Sequence, residues 1–247
     1  MKIVTIIGAR PQFIKAAVVS RAISSFPDVQ EVIVHTGQHF DTNMSDIFFE
    51  EMCIPKPNYN LNINGMTHGA MTGQMLEKIE SILLTEQPDW VIVYGDTNST
   101  LAGALAASKL HIRVAHIEAG LRSYNMNMPE EINRILTDRI SSVLFCPTEQ
   151  AIKNLHQEGF KQFPCTLLNC GDVMQDAALF YANKAKHPDF LLPEHFILAT
   201  LHRAENTDSP ERLQSIIAAL EEIAREMPAV IPIHPRTRKK LQELNFN

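Results

Sequence analysis

The stretch Asp89-Trp-Val-Ile-Val-Tyr-Gly-Asp-Thr-Asn-Ser99 sets the fold of this chain, together with Val114-Ala-His-Ile-Glu-Ala-Gly-Leu-Arg122 further along. Each stretch begins in or near a short, mainly apolar run, at residues 90–94 and 113–117, that is too short for a helix and is typical of an interior parallel strand. Residues 100–110 between them are rich in Ala and Gly, so a helix there can pack closely on a sheet. The pattern predicts a βαβ unit.

Two acidic residues follow these predicted strands, Asp96 after the first and Glu118 after the second. In a βαβ unit both strands end at the same edge of the sheet, which is where ligands bind in open α/β folds. We therefore expect the two carboxylates side by side at the rim of one crevice. Such a pair is suited to acid–base chemistry.

Composition restricts the class of protein. The chain has 247 residues, of which 45% are hydrophobic and 20% charged, as in ordinary globular proteins. A net charge of -6 argues against a nucleic-acid surface. No apolar run is long enough for a membrane span, no signal-peptide pattern precedes the first strand, and the four cysteines lack C-x-x-C spacing. These features predict a cytoplasmic α/β protein.

Cationic and polar candidates follow the first two predicted strands, at residues 2–7 and 31–36. Pro11 fits the first turn of a helix, so Arg10 and Lys15 would flank a helix N-terminus that favours anions. The turn has no G-x-G-x-x-G pattern and gives no support to a nicotinamide cofactor. Gln38 lies in the loop after the second strand and is a further binding candidate.

A helix starting at Pro129 carries the next candidates. Glu130 and Glu131 lie in its first turn, where the helix dipole alone favours acidic residues. Their loop leaves the same predicted sheet edge as Asp96, which favours a function. Arg134 lies one turn beyond Glu130 and could hold a carboxylate or contact an anion.

The alternation of strands and helices predicts a Rossmann-like domain over 1–172, a domain crossing over 173–194 and the start of a second Rossmann-like domain over 195–247. Further predicted strands of the first domain lie at 143–146 and 166–169, and further predicted helices lie at 44–51 and 175–186. The first strand of the second domain, at 195–201, precedes His202 and Arg203, a helix is predicted from Pro210 to Glu226, and the second strand, at 230–233, precedes His234. Two strands and two helices cannot bury both faces of a sheet. We therefore expect the second domain to be incomplete and the chain to be a fragment of a longer protein.

Seven short motifs, in this order, span the chain: Gly8-Ala-Arg-Pro-Gln-Phe-Ile-Lys15, Tyr94-Gly-Asp-Thr-Asn-Ser-Thr100, His116-Ile-Glu-Ala-Gly-Leu-Arg122, Pro129-Glu-Glu-Ile-Asn-Arg134, Pro147-Thr-Glu149, His202-Arg-Ala-Glu-Asn206 and Ile233-His-Pro235. Together they resemble the non-hydrolysing UDP-N-acetylglucosamine 2-epimerases of bacteria. The resemblance implies two Rossmann-like domains of GT-B type with a UDP-sugar in the cleft between them, the second domain binding UDP. It also implies a homodimer and a role in cell-surface polysaccharide biosynthesis, such as that of O-antigen.

The same resemblance implies a reaction with no metal and no nicotinamide, in which UDP is eliminated to give a glycal and is then added back. Its catalytic candidates are Asp96, Glu118, Glu130 and His202, with His202 contacting the phosphate or the intermediate. The implied binding residues are Arg10, Lys15, Gln38, Glu131, Arg134, Arg203 and His234.

The sequence also departs from the common family pattern, which begins Gly-Thr-Arg-Pro-Glu where this chain has Ala9 and Gln12. A Gln-His-Arg-Gln run that binds an activating second substrate molecule is here Gln38-His-Phe-Asp41, so we expect no such activation. Family members extend further and hold UDP with that extension, so we expect the isolated chain to be inactive.

The substrate stays open at this point. The chain resembles most a branch that includes 2-epimerases of UDP-2,3-diacetamido-2,3-dideoxyglucuronic acid, so the same reaction on that sugar is an alternative. A GT-B glycosyltransferase that uses a UDP-sugar donor, a hydrolysing epimerase and a non-catalytic nucleotide-sugar binding module also stay open.

Overall fold

The computed structural model describes residues 1–38, 54–201, 204–233, 235–244 and 246, with the backbone alone for 204–205 and 235–236. Within this part of the chain, contacts divide the protein into two compact units, Met1–Lys184 and Ala185–Asn247. The boundary falls inside the predicted crossing segment 173–194. No helix among the described residues is both long and apolar enough to cross a membrane.

The first unit is built on a parallel sheet with the strand order β3-β2-β1-β4-β5-β6-β7 over its described residues. Every neighbouring pair of these strands is parallel. The strands are β1 (Lys2–Ile7), β2 (Gln30–His35), β3 (Tyr59–Asn60), β4 (Trp90–Tyr94), β5 (Arg113–Ile117), β6 (Val143–Cys146) and β7 (Thr166–Asn169).

Helices cover both faces of this sheet, because its strands are apolar on both sides. Along β1, Val4 and Ile6 point into one core cluster with the helix that follows β3, whereas Ile3 and Ile7 point into another with the helix that follows β1. The helices are α1 (Arg10–Ser24), α2 (His68–Glu86), α3 (Asn98–Lys109), α4 (Pro129–Ile140), α5 (Glu149–Gln157) and α6 (Val173–Ala182), with a 3₁₀ turn at Phe160–Gln162.

The predicted strands at 90–94, 113–117, 143–146 and 166–169 coincide with β4 to β7. Helix α3 starts two residues before its predicted position, because the hydroxyl of Thr97 caps it by accepting from the backbone N–H of Thr100 at 3.3 Å. The sequence pattern does not predict strand β3, since its two residues lie in a Pro- and Asn-rich connection. The helix predicted at 44–51 lies outside the described residues.

Helix α6 belongs to the first unit and packs on α1. The guanidinium of Arg21 lies 3.6 Å from the ring centroid of Phe180 and donates to the hydroxyl of Tyr181 at 2.9 Å. The predicted helix at 175–186 is therefore shifted towards the N-terminus by its packing on α1.

The second unit has a parallel pair of strands in its described part, β8 (Ile197–Leu198) and β9 (Ala229–Val230). Its helices are α7 (Ala204–Thr207), α8 (Pro210–Ala224) and α9 (Pro235–Glu243), and Leu201, Leu213 and Leu241 form its small core. The strands are shorter than the predicted 195–201 and 230–233. Helix α8 begins at the predicted Pro210, where Ser209 caps it.

Candidate active site

The candidate site lies at the carboxyl ends of β1, β4 and β5, which are neighbours in the sheet. The strand order reverses between β1 and β4, since β2 and β3 lie on one side of this point and β5 to β7 on the other. Such a switch point opens a crevice that binds ligands in doubly wound folds. The loops that leave β1, β4 and β5 carry Arg10, Asp96 and Glu118, respectively.

Backbone register brings the two predicted carboxylates to adjacent turns. Tyr94 of β4 pairs with Ile117 of β5, and the N–H of Gly95 donates to the carbonyl of Ile117 at 2.9 Å. Glu118 has a φ of +71°, a left-handed backbone conformation that costs energy for a residue with a side chain. The turn after β5 is thus bent so that Glu118 stands at the sheet edge.

Each of these carboxylates contacts a different cation. The ammonium of Lys15, on α1, is in direct contact with Oε2 of Glu118, and the Lys15 side chain is only 8% exposed. Gly95 lies against this pair, because a Cβ atom there would be 3.1 Å from Glu118 Oε2 and 3.4 Å from Lys15 Nζ. The substrate-binding candidate Lys15 therefore neutralises a catalytic candidate in the free protein.

Asp96 is held by two neighbouring residues of α4. Nη2 of Arg134 donates to Asp96 Oδ2 at 2.5 Å, and the Asn133 side-chain amide donates to the Asp96 carbonyl at 2.9 Å. The Asp96 side chain is still about one-third exposed, at 35%. Its carboxylate is consequently both fixed in orientation and open to a ligand.

The position of Glu131 in the first turn of a helix suggests an exposed side chain, but this residue is buried. It is 1% exposed and accepts from the backbone N–H groups of Ser123 and Tyr124, at 3.0 and 2.8 Å, and from Arg134 Nη1 at 2.9 Å. Burial alone would raise its pKa, but these N–H groups and the guanidinium outweigh that effect and hold the pKa of Glu131 below its usual value. Its contacts make it a support for Arg134.

Glu130 and Arg10 lie at the surface. The Glu130 side chain is exposed and has no hydrogen bond or ion pair with the described residues. Arg10, the first residue of α1, is exposed as well. The Glu130 side chain can reach a bound molecule without first breaking a buried contact, and the predicted roles of both residues stay predictions.

Two glutamines brace the turns around the site. Gln12 is 1% exposed, accepts from the N–H groups of Gly8 and Ala9, and donates to the Tyr94 carbonyl and the Thr100 hydroxyl, both at 2.9 Å. A glutamine amide can make both kinds of contact at once, which an ionised glutamate cannot. The Gln12 departure from the common motif thus has a structural reason.

Gln38, predicted to bind substrate, lies at the start of α3 and contacts that helix through its side-chain oxygen. Its Oε1 accepts from the backbone N–H of Ser99 at 3.1 Å and from the Ser99 hydroxyl at 2.8 Å. Sequence reasoning does not identify Gln12 or Asn133 as parts of the site, although both lie inside the quoted motifs. The feature that could have identified them is a polar side chain at a helix position that the apolar pattern places against the sheet.

His202, Arg203 and His234 lie outside the described residues, so their predicted roles have no geometry here. Among the residues that are described, no group of three or more His, Cys, Asp or Glu side chains is placed to hold a metal ion.

Both the sequence and the structure match known proteins. A family model described as UDP-N-acetylglucosamine 2-epimerase matches residues 21–246. The chain is 64% identical over 248 residues to UDP-2,3-diacetamido-2,3-dideoxy-D-glucuronate 2-epimerase of Pseudomonas aeruginosa, covering 100% of this chain and 70% of that protein.

Two solved structures share the fold. The UDP-GlcNAc 2-epimerase of Methanocaldococcus jannaschii in complex with UDP-GlcNAc and UDP superposes with a TM-score of 0.86 at 48% identity, covering 100% of this chain and 69% of that one. The Neisseria meningitidis UDP-GlcNAc 2-epimerase bound to UDP-GlcNAc gives a TM-score of 0.87 at 32% identity, with coverages of 99% and 69%. These neighbours have the GT-B-like α/β architecture.

Proposed function

The chain belongs to the UDP-N-acetylglucosamine 2-epimerase family, and we propose that it inverts C2 of a UDP-2-acetamido sugar. A base removes the C2 proton, the electron pair left at C2 forms a C1–C2 double bond, and the bond from C1 to the diphosphate oxygen breaks. UDP then adds back to C1 of this glycal as C2 is protonated from the opposite face. No oxidant or reductant enters the balance.

The observation that carries the proposal is the pair of cation-bound carboxylates on neighbouring turns. Inversion needs acid–base groups for both faces of C2, and Asp96 and Glu118 supply two carboxylates from two strands. Each lies beside a cation, Arg134 or Lys15, that forms an ion pair with it. A carboxylate at this position can remove a proton from C2.

The leaving diphosphate needs positive charge. Arg10 and Lys15 lie in the first turns of α1, whose N-terminus itself favours anions. Because Lys15 neutralises Glu118 in the free protein, a diphosphate that attracts the ammonium would also unmask the Glu118 carboxylate. Lys15 would in this way couple UDP binding to the release of the Glu118 carboxylate.

The remaining predicted residues enter the proposal with smaller support. Glu130 is an exposed third carboxylate on the helix that holds Asp96, and His202 is a further catalytic group. Arg203, His234 and Gln38 are substrate contacts. We assign Glu131 a supporting role through Arg134, since its carboxylate is buried.

Two UDP-sugars are candidates for the substrate. UDP-N-acetylglucosamine is the substrate named for the family and for the relative from Methanocaldococcus jannaschii, at 48% identity. UDP-2,3-diacetamido-2,3-dideoxy-D-glucuronate is the one named for the Pseudomonas relative, at 64% identity. The identity to the Pseudomonas relative is the higher of the two, which supports the second sugar as an alternative substrate for the same mechanism.

Solvent deuterium exchange at C2 tests the proposal. The protein at its natural length is incubated with each UDP-sugar in D₂O, and label at C2 is followed by NMR. We expect label and C2 epimer with one of the two sugars, and loss of both in Asp96→Asn, Glu118→Gln and Glu130→Gln. Glu80→Gln, an exposed change on α2, is the control and keeps full exchange. A folded protein that exchanges neither sugar would refute the proposal.

The products separate this reaction from its rivals. An epimerase returns UDP-sugar of inverted C2 configuration, a hydrolysing epimerase releases UDP and free sugar, and a glycosyltransferase leaves C2 unlabelled and needs an acceptor. A binding module would hold UDP-sugar with no exchange.

We also propose a homodimer in the cytoplasm that supplies cell-surface polysaccharide synthesis, as the family resemblance implies. Cys146, Cys165 and Cys170 are free thiols, which suits a reducing compartment. Light scattering on the purified protein tests the dimer, and fractionation of cells tests the compartment.

A further inference from the structure

A buried cluster of charged side chains lies behind the candidate site. His116 of β5 and Asp138 of α4 are both 0% exposed, and the ring Nδ1 of His116 lies 2.7 Å from Asp138 Oδ1. Arg122 donates to Asp138 Oδ2 at 2.7 Å and forms a two-pronged pair with Glu158, at 2.6 and 2.8 Å. The mechanism proposed above uses none of these groups.

The hydrogen bonds orient the His116 ring. Its Nε2 lies 2.7 Å from the carbonyl oxygen of Gly95, and a carbonyl oxygen only accepts, so Nε2 is the donor of this hydrogen bond. The other ring nitrogen, Nδ1, faces Oδ1 of Asp138. One ring therefore bridges the Gly95 carbonyl and the Asp138 carboxyl group.

The members of the cluster balance one another's charge. Asp138 lies between His116 and Arg122, and Arg122 also pairs with Glu158. Burial would lower the pKa of Arg122, but Glu158 and Asp138 outweigh it and raise that pKa above its usual value. A balanced buried cluster is strongly destabilised by removal of one member.

The buried cluster is hydrogen-bonded to the two turns that carry the catalytic candidates. His116 holds the carbonyl of Gly95, the residue before Asp96, and Asp138 Oδ2 accepts from the N–H of Gly120, two residues after Glu118. Both glycines have positive φ, +61° and +78°, which glycine adopts without strain, whereas Glu118, at +71°, is a strained residue that these contacts help to hold in place.

Helix α4 joins the same assembly. Asp138 is on the helix whose Asn133 and Arg134 hold the backbone and carboxylate of Asp96. A single side chain, His116, therefore connects the turn of Asp96, the turn of Glu118 and the helix that orients Asp96.

We propose that His116 is a positioning residue that sets the separation of the Asp96 and Glu118 carboxylates, because its two ring nitrogens bridge the Gly95 carbonyl and the Asp138 carboxyl group. The inference deepens the proposed epimerase function and rests on it. His116 does not touch the substrate, and its effect on the rate passes through the two carboxylates.

Two measurements without substrate test the geometry. Nitrogen-15 NMR of the unmodified protein should show a proton on Nε2 of His116; an Nε2 that carries no proton could not donate to the Gly95 carbonyl and would overturn the proposal. Hydrogen exchange should show faster exchange in His116→Gln at the turns 95–97 and 118–121, and not in Ile79→Ala, which removes a fully buried α2 side chain remote from the turns. Equal exchange at these turns in both variants would also overturn it.

The kinetic test is a double-mutant cycle on C2 exchange with the protein at its natural length. We expect His116→Gln to lower kcat by about 100-fold, the scale of a misplaced catalytic group, with KM changed by less than about threefold. In an Asp96→Asn background the same change should lower the residual rate by far less than 100-fold, because one of the two carboxylates whose separation it sets is already gone. Ile79→Ala should leave kcat unchanged.

A full 100-fold loss in both backgrounds would mean an independent structural role and would overturn the proposal. If the unmodified protein exchanges neither UDP-sugar, the epimerase function fails, whereas the NMR and hydrogen-exchange results still decide whether His116 holds the two turns. A His116→Gln variant that does not fold leaves the NMR measurement on the unmodified protein as the deciding one.

Discussion

Replacing Glu131 by Gln changes one buried contact and preserves shape. The Gln carbonyl oxygen can still accept from Ser123 and Tyr124, but its NH₂ group then faces Nη1 of Arg134, donor against donor, where Glu131 accepts at 2.9 Å. The loss of one charge-assisted hydrogen bond and the unpaired guanidinium together cost about 2–3 kcal/mol of unfolding free energy. For a chain of this size the melting temperature should fall by about 4–12 °C.

The pH dependence gives this prediction its sign. The pKa of Glu131 is lower in the folded protein than its ordinary value of 4.5, so the carboxylate stabilises the fold above that pH and loses this effect as pH falls through the folded value. The difference between the unmodified protein and Glu131→Gln should therefore be full at neutral pH and shrink on acidification below about pH 4.

Urea unfolding across this pH range, followed by circular dichroism, measures the difference. The exposed change Glu80→Gln is the control and should have no effect at any of these pH values. A Glu131→Gln penalty that stays constant from neutral to acid pH would contradict this explanation, because it would then not come from the ionised carboxylate. Because Arg134 also orients Asp96, kcat for C2 exchange should fall with KM almost unchanged.

Further expected outcomes concern the other cation and two glycines. Lys15→Met should lower kcat by about 10²-fold or more, since it removes positive charge from the site, and Lys15→Arg should recover part of the rate in the C2 exchange assay. Gly95→Ala should lower the free energy of unfolding by about 1–2 kcal/mol because of its φ of +61°, and should also lower activity by crowding Glu118. Gly159 has a φ of +85° and open space around it, so Gly159→Ala should lower stability only. Melting and activity assays on both variants measure this difference. Burial raises the pKa of Glu31, so ionisation of its carboxyl group destabilises the folded protein as pH rises from 4.5 towards the folded pKa. Glu31→Gln should therefore be more stable than the unmodified protein in urea at neutral pH. This gain in stability should vanish below about pH 4.5.

Strands β4 to β7 could be predicted because each is a short apolar run; β4 and β5 are buried on both faces, whereas β6 is partly buried and β7 is largely exposed. Strand β3 could not, since its two residues gain their strand character from pairing with Val34 and His35 rather than from their own sequence. Asp96 and Glu118 could be placed at one edge from the strand ends alone. Their cation partners required the fold, because Lys15 is 103 positions from Glu118 and Arg134 is 38 from Asp96.

Burial is the other property that the sequence conceals. Glu130 and Glu131 are adjacent in the same first turn, and the helix dipole favours both equally. They differ because the chain before α4 turns back at Tyr124, with a φ of +57°, and points its N–H groups at Glu131. A contact of that kind depends on a left-handed residue that no local pattern indicates, so sequence alone groups Glu131 with the substrate contacts.

Each of the two proposed catalytic carboxylates is held by a motif other than its own, and this arrangement constrains how the site can change. Asp96 follows β4, but its orientation comes from Asn133 and Arg134 of α4. Glu118 follows β5, but its counter-ion is Lys15 of α1. A substitution in α1 or α4 should therefore alter the chemistry at C2 without touching a carboxylate, and the two carboxylates should respond to different cations.

Measured separately, Lys15→Met should weaken both UDP affinity and rate, whereas Arg134→Met should lower the rate far more than the affinity for UDP, since Arg134 is committed to Asp96 and Glu131. Equal effects of the two variants on UDP affinity would contradict this division of roles.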